Sequence, residues 1–255
     1  SCNDVRPRLR DIVAQLYQHV PTGVGSHRRD LTLSARDIRG VLERGAAWAV
    51  ARGFGGGADL ERIEEGGVIS GANPDGVSAR AIERGQPQLG TLGSGNHFVE
   101  LQYVDEIYDE TVAEAFGLFP GQVTIMIHSG SRGLGHQVCE DHLRAMVNAA
   151  RRHGIDLPDR QLCCAPLGSP AARAYLASMA AAANFAFANR QVMSHWVRQS
   201  VAAALGIAPG RAGLDTVYDV CHNIAKFETF PIEGRPRRVC VHRKGATRAY
   251  PPGHP

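Results

Sequence analysis

The chain of 255 residues has no apolar run of membrane-spanning length and no secretory leader pattern. A spanning helix needs about 20 predominantly apolar residues, so helical insertion in a bilayer is excluded and the expected location is the cytoplasm. Six cysteines (Cys2, Cys139, Cys163, Cys164, Cys221, Cys240) form neither a Cys-x-x-Cys pair nor a disulfide-dense pattern, which suits a reducing compartment. Adjacent Cys163 and Cys164 read as buried small apolar groups. Net charge is only +3, too small to establish a nucleic-acid partner. Internal repeats are absent, and no linker is strong enough to divide the chain, so residues 1–255 read as a single domain segment.

Apolar content of 44% and charged content of 21% describe an ordinary globular protein, long enough to bury a substantial core. Residues 4–19 place Val5, Leu9, Ile12, Val13, Leu16 and Tyr17 at helical spacing. Ser34 is positioned to cap a second helix running to about Ala51. A short helix over 74–85, a strand in which Phe98, Glu100 and Gln102 alternate with Val99 and Leu101, and a helix over 104–117 follow. GQVTIMIHSG reads as a strand of buried type, then a helix from about His136 to His153. The alanine-rich stretch 169–205 reads as one long helix. DTVYDVCHN, the 226–232 region and RRVCVHRK supply three more strands. Strands and helices do not alternate strictly, so the expected class is α+β, with mixed or antiparallel sheets flanked by helices.

Three histidines sit where a strand-like run breaks into small or polar residues: His97 in TLGSGNHFVE, His128 in VTIMIHSGSRG and His222 in DTVYDVCHNIAK. They are far apart in sequence, so they meet only if the fold gathers three separate strand ends. Neutral imidazole is the commonest metal ligand and a general acid or base near neutral pH; alone, such a histidine is usually structural. GTLGSGNHF has the glycine richness of a phosphate loop but lacks the Lys-Ser/Thr of a Walker loop and the spacing of a dinucleotide fingerprint. Asn96 and Glu100 flank His97 with groups able to read a purine or simply to bond their own loop.

In HSGSRG, His128 is followed by a helix start at which backbone N–H groups favour an anion, and Arg132 can grip a phosphate bidentately. CHNIAK repeats that logic with His222, Asn223 and Lys226. Neighbouring strand residues point to opposite faces, so Cys221 and His222 should diverge. Arg243, Lys244 and Arg248 in HRKGATRA, with the arginines of GSRG, HWVRQS and GRPRRV, can neutralise a polyanion locally or form a solvated basic surface.

Taken together, GTLGSGNHFVE, MIHSGSRGLGHQV, VYDVCHNIAK and VHRKGATRAYPPGH resemble the successive signature segments of the RtcB-type RNA ligases. The opening VRPRLRDIVAQLYQHVPTGVGS is similar to archaeal-style members. The resemblance covers essentially the whole chain in order. It implies a GTP- and manganese-dependent enzyme of tRNA splicing and RNA repair. Such an enzyme joins an RNA 3′-phosphate, or a 2′,3′-cyclic phosphate opened to it, to a 5′-hydroxyl. GTP first guanylylates a histidine, GMP passes to the RNA 3′-phosphate, and the 5′-hydroxyl displaces it.

Residue by residue, the resemblance makes His97, His128 and His222 metal ligands, with two Mn²⁺ ions in a complete site. Asn96, Phe98, Glu100 and Asn223 become guanylate-pocket residues, and Arg132 and Lys244 phosphate-binding positions. Expected partners are RNA (tRNA halves and broken ends), GTP and an archease-type activator.

Two family segments are not found: an Asp-x-x-Cys stretch that supplies a carboxylate and a thiolate, and a Cys-His-Gly-Ala-Gly-type stretch carrying the guanylylated histidine. His242 and His254 stand in other contexts. Residue 1 is Ser and the chain stops in AYPPGHP. The expectation is therefore a central fragment whose nucleophile lies beyond Pro255. Rival readings are a non-catalytic RNA- or nucleotide-binding fragment and a three-histidine metal phosphoesterase.

Overall fold

A computed structural model describes residues 2–247. The chain is α+β: helices dominate, and the described residues form two separate two-stranded antiparallel sheets. The helices are α1 (Cys2–Val5), α2 (Leu9–His19), α3 (Ala35–Ala51), α4 (Gly57–Leu60), α5 (Ala79–Gly85), α6 (Glu110–Phe116), α7 (Arg132–Arg152) and α8 (Pro170–Leu205). The strands are β1 (Phe98–Tyr103), β2 (Val123–His128), β3 (Asn223–Ile232) and β4 (Arg235–Lys244).

Helix α8 organises the molecule. At 36 residues it is about 54 Å long. It begins at a Ser169 cap that accepts from Ala172 N–H, and it ends at Gly206 in the left-handed conformation. Its alanines let α3 and α7 lie close, burying Trp48, Leu42, Leu134 and Phe185 in one cluster. Met193 and Val197 form a second cluster with Val99, Ile125 and Ile127 of the first sheet. Among the described residues no helix is long and apolar enough to cross a membrane.

Several expected elements hold. Ser34 caps α3 through a reciprocal capping box with Asp37. Within α3, Gly45 has φ +49°, and a Cβ there would meet the Gly67 carbonyl. In β1, Val99 and Leu101 pack inward while Phe98 and Glu100 lie on the exposed face. The long helix over 169–205 is uninterrupted.

Others are corrected. The helix expected over 4–19 breaks into α1, a 3₁₀ turn over 6–8 and α2, because Pro7 has no N–H to donate and fixes its own φ. Of its anticipated apolar face Ile12 is fully buried, whereas Leu9, Val13 and Tyr17 are exposed. The 74–85 helix resolves into a 3₁₀ turn and α5. Residues 105–109 do not join α6, which starts only where Asp109 caps Val112 N–H. Helix α7 starts at Arg132 rather than His136.

The DTVYDVCHN strand does not form. Only its last residue, Asn223, enters a strand, opening β3 opposite Lys244; before that its one sheet-like contact is an isolated bridge between Asp219 and Ile63, with the Asp219 carboxylate held by Arg190 and Cys221 N–H by Glu64. Cys163 is only half-buried and Cys164 is exposed, so neither is a core group.

Candidate functional site

Antiparallel register pairs Phe98 with His128, Glu100 with Met126 and Gln102 with Thr124. Directly paired residues share a sheet face. The alternate set packs on α8, so Phe98, Met126 and His128 face outward into a cavity of about 1180 Å³. The loop before β1 brings Asn96 and His97 to the same cavity. The segment before β3 brings His222, with Asn223 beside it, and the start of α7 brings Arg132.

The histidines therefore converge. Nε2 of His128 lies 3.1 Å from Nε2 of His222, and the His97 and His128 rings are 5.7 Å apart at their centroids. His128 donates through Nδ1 to the Asn96 carbonyl at 2.9 Å, which leaves a lone pair on its Nε2. Nε2 of His222 must then share a proton with it or share a cation.

Nδ1 of His97 lies 2.9 Å from the Leu92 carbonyl; an N–H there, donated to that carbonyl, frees Nε2 and makes the 3.1 Å approach of Arg132 Nη1 to the same nitrogen a contact of charge rather than a hydrogen bond. Burial, reinforced by the Arg132 charge, holds the His97 imidazole below the usual histidine range. Burial, the neighbouring His128, Arg190 and Lys244 do the same for His222. Both rings are thus kept neutral, the form that binds metal.

Backbone carbonyls behind His97 and His128 are the usual second layer of an imidazole metal site, fixing tautomer and ring orientation. The nitrogen donors present fit a divalent cation at the His128–His222 pair. Among the described residues, however, no group of three or more His, Cys, Asp or Glu closes around one point.

Arg132 adds charge to the same cavity. Its Nη1 is 3.1 Å from Nδ1 of His97, and its Nε donates to Thr91 Oγ1 at 3.3 Å. It is one of three non-glycine residues with positive φ among those described (φ 55°), a conformation costing roughly 1–2 kcal/mol for an L-residue. Gly93 makes room for it: a Cβ at that position would overlap the Arg132 guanidinium.

Of the other anticipated residues, Asn96, Phe98 and Asn223 line the cavity. Phe98 meets the His128 ring edge-on with centroids 5.3 Å apart, and Asn223 Oδ1 accepts from Gly245 N–H. Glu100 shares the outward strand face but is not among the lining residues; it accepts from Gln102. Lys244 pairs with Asn223 in register and is exposed outside the lining. Cys221 and His222 do diverge: Cys221 is buried with Ile63 and Phe187 while His222 reaches the histidine pair.

Two basic residues depart from expectation. Arg243 is no free cation, being paired with Glu64 and Glu228, and Lys226 is buried against Glu64 and Glu65. Their charges were needed to neutralise a buried acidic cluster. His242 is exposed beside Cys240. Arg248 and His254 lie outside the described residues.

Sequence reasoning missed Asn189 and Arg190 on α8, which touch the segments carrying the histidines. The available signal was polar residues embedded in the apolar run AANFAFANRQV. It also missed Glu64, whose carboxylate holds Cys221 N–H, next to His222, at 3.0 Å.

Comparison with known proteins gives one family: that described as tRNA-splicing ligase RtcB matches residues 1–254. A tRNA-splicing ligase RtcB of Archaeoglobus fulgidus is 52% identical over 253 residues, covering 99% of this chain and 52% of that protein. One from Thermococcus kodakarensis is 51% identical over 253 residues, with the same two coverages. One from Pyrococcus furiosus is 54% identical over 252 residues, covering 98% of this chain and 26% of that protein. The chain thus spans about half the length of two of these relatives and about a quarter of the third.

Proposed function

The chain belongs to the RtcB family, and from that premise we propose that it carries the metal- and nucleotide-binding part of an RNA ligase. That ligase joins 3′-phosphate or 2′,3′-cyclic phosphate ends to 5′-hydroxyl ends with GTP and Mn²⁺, in cytoplasmic tRNA splicing and RNA repair. The observation that carries this reading is the meeting of His128 and His222 beside His97 and Arg132 in one cavity.

In this reading His97, His128 and His222 hold divalent metal. The ion supplies Lewis acidity at phosphoryl oxygens when bound. Asn96, Phe98 and Asn223 orient the guanine nucleotide, with Glu100 at the outer edge. Arg132 engages a phosphate, and Lys244 adds positive potential near His222. Phosphoryl transfer depends mainly on alignment and charge neutralisation, and these residues provide both. RNA has a surface at hand: Arg235, Arg237 and Arg238 are exposed along the β3–β4 hairpin. Arg238 lies over the Phe227 ring at 4.4 Å, which holds its guanidinium on the hairpin face. An archease-type activator is the protein partner this reading anticipates.

No described histidine is placed to be the guanylylated nucleophile. The cavity histidines are committed to metal, and His242 lies outside the cavity. Residues 1–255 are therefore expected to bind GTP without covalent labelling, whereas a chain of the relatives' full length takes the label and joins RNA ends. The assay is radiolabelled GTP with Mn²⁺, followed by mapping of any adduct. A label on His242 contradicts this assignment of roles, and phosphate release from RNA ends without GTP turns the reading to a hydrolase.

Arg132→Gly separates binding from folding. Glycine accepts the positive φ without strain, so stability should stay within about 1 kcal/mol of the parent. GTP affinity should nevertheless fall roughly tenfold or more, since a charge-assisted hydrogen bond contributes about 1.5–3 kcal/mol. Denaturant unfolding and nucleotide titration measure the two. Undiminished affinity in the folded variant would remove Arg132 from the phosphate site.

A further inference from the structure

Three segments carry the histidines: the β1–β2 ladder and the bond from His128 to the Asn96 carbonyl join the first two, but among the described residues no ladder joins either to the segment bearing His222. The loop bearing His97, the end of β2 bearing His128 and the irregular stretch before β3 bearing His222 come from distant parts of the chain. What they share is one dipeptide in the middle of α8. Asn189 is fully buried and Arg190 nearly so.

Asn189 Oδ1 accepts from Gly90 N–H at 2.7 Å and Thr91 N–H at 3.2 Å. Its Nδ2 donates to the Thr91 carbonyl, to Ser129 Oγ and to the Gly130 carbonyl, all within 3.2 Å. This one amide thus ties the loop leading to His97 to the two residues after His128. Ser129 Oγ closes the link by donating to the Leu92 carbonyl at 2.8 Å, the same oxygen that faces His97 Nδ1.

Arg190 ties the third segment to the second. Its Nη1 donates to the Ser129 carbonyl at 3.2 Å. Its Nε lies 2.8 and 2.9 Å from the two carboxylate oxygens of Asp219, and its Nη2 reaches Cys221 Sγ at 3.8 Å. Ser129 directly follows His128, and Cys221 directly precedes His222. Consecutive helical residues diverge by about 100°, which is how two neighbours serve different segments. Against the buried Arg190, the Asp219 carboxylate supplies the counter-charge.

From this connectivity we infer that Asn189 and Arg190 are positioning residues: they act through the Ser129 backbone and side chain to set the three imidazoles in register. The inference deepens the proposed function, since it rests on reading the histidines as a metal set. The same helix contains a built-in comparison. Asn184 is also fully buried and also clamps backbone, accepting from Ile69 N–H and donating to the Leu42 carbonyl. Its hydrogen bonds, among the described residues, go to Ile69, Leu42 and Glu43 and to no histidine-bearing segment.

The test uses Asn189→Leu, Arg190→Lys and Asn184→Leu, with Co²⁺ as the probe ion. Visible absorption bands of bound Co²⁺ report ligand geometry, and competition titration gives affinity. Thermal unfolding of the metal-free proteins reports the purely structural cost. Asn184→Leu should unfold earlier yet keep the parent's bands and affinity. Asn189→Leu and Arg190→Lys should shift the bands and lose roughly 10–100-fold in affinity, as removal of outer-shell partners does. Arg190→Lys, which retains the charge facing Asp219, decides the case where Asn189→Leu does not fold.

Parent-like bands and affinity in the folded Arg190→Lys and Asn189→Leu proteins would overturn the inference. If the parent itself gives no Co²⁺ bands, the metal reading fails, and nitrogen NMR of the metal-free imidazoles takes over. His128 and His222 resonances should then still move in Asn189→Leu and Arg190→Lys but not in Asn184→Leu; unmoved resonances in the first two overturn the positioning role as well.

Discussion

Replacing His222 by alanine should leave the metal-free protein as stable as the parent, within about 0.5 kcal/mol, and abolish most of the stabilisation given by divalent metal. His222 is only partly buried, and its main partner is the facing Nε2 of His128. Without a cation that contact is a single shared proton at best. With one, a ligand present at about 100 times its Kd stabilises the folded state by about 2.7 kcal/mol. The measurement is thermal unfolding of parent and variant with and without added Zn²⁺ or Mn²⁺. Zn²⁺ should raise the parent's Tm more than Mn²⁺ at equal concentration, because imidazole donors without carboxylates favour zinc and the general affinity order does too. An equal metal-dependent rise in the variant would show that the ion binds elsewhere.

The second large effect is structural. Asp59 at α4 is buried and accepts from both Nη groups of Arg198, from Thr216, from Gln191 and from Gly56 N–H. Burial by itself would raise its carboxyl; the bonds from Arg198, Thr216, Gly56 and Gln191 outweigh that and hold it well below the usual 3.8. Asp59→Asn leaves the Arg198 guanidinium without its counter-charge. Breaking one side of a buried pair costs about 3–5 kcal/mol. Denaturant unfolding at pH 7 should show a loss of that order.

The pH dependence follows from the depressed carboxyl. A group ionised more readily in the folded state stabilises it fully above its unfolded value, and that contribution drains away as pH falls through the folded value. The parent's advantage over Asp59→Asn should therefore be complete at neutral pH and shrink steadily below about pH 4. A gap that stays constant down to pH 2 would mean that Asp59 acts by packing alone. The consequence reaches the cavity, because Arg198 also donates to the Leu214 carbonyl and to Thr216, and Leu214, Asp215 and Thr216 line the cavity.

Local pattern was enough wherever one residue's own chemistry decided the structure. Ser34 with Asp37 three positions later specifies a helix start. Alternation along 98–102 specifies which face of β1 packs inward. Alanine richness specifies α8; Cys221 and His222 diverge as anticipated, but in an irregular segment rather than by the period of a strand. The polar breaks at His97, His128 and His222 marked the site because a histidine at a strand end exposes its ring to whatever lies beyond the sheet.

Other features depended on partners remote in sequence. Nothing in DTVYDVCHN distinguishes a strand from an extended segment; the fold holds it by Arg190 at the Asp219 carboxylate and by Glu64 at the Cys221 N–H. Arg243 and Lys226 have the spacing of phosphate-binding cations, but a buried acidic cluster claimed them, since an unpaired charge in the interior costs several kcal/mol. By itself, then, the sequence determined the α+β class and the long alanine-rich helix and singled out the three histidines that line the cavity, because periodicity, capping and side-chain type act over a few residues. Only the tertiary structure decided that His128 and His222 stand 3.1 Å apart and that Asn189 and Arg190 hold their segments. Those distances are set by buried hydrogen bonds between parts of the chain about 30 to 100 residues apart, and a buried polar group takes whichever partner the packing brings to it.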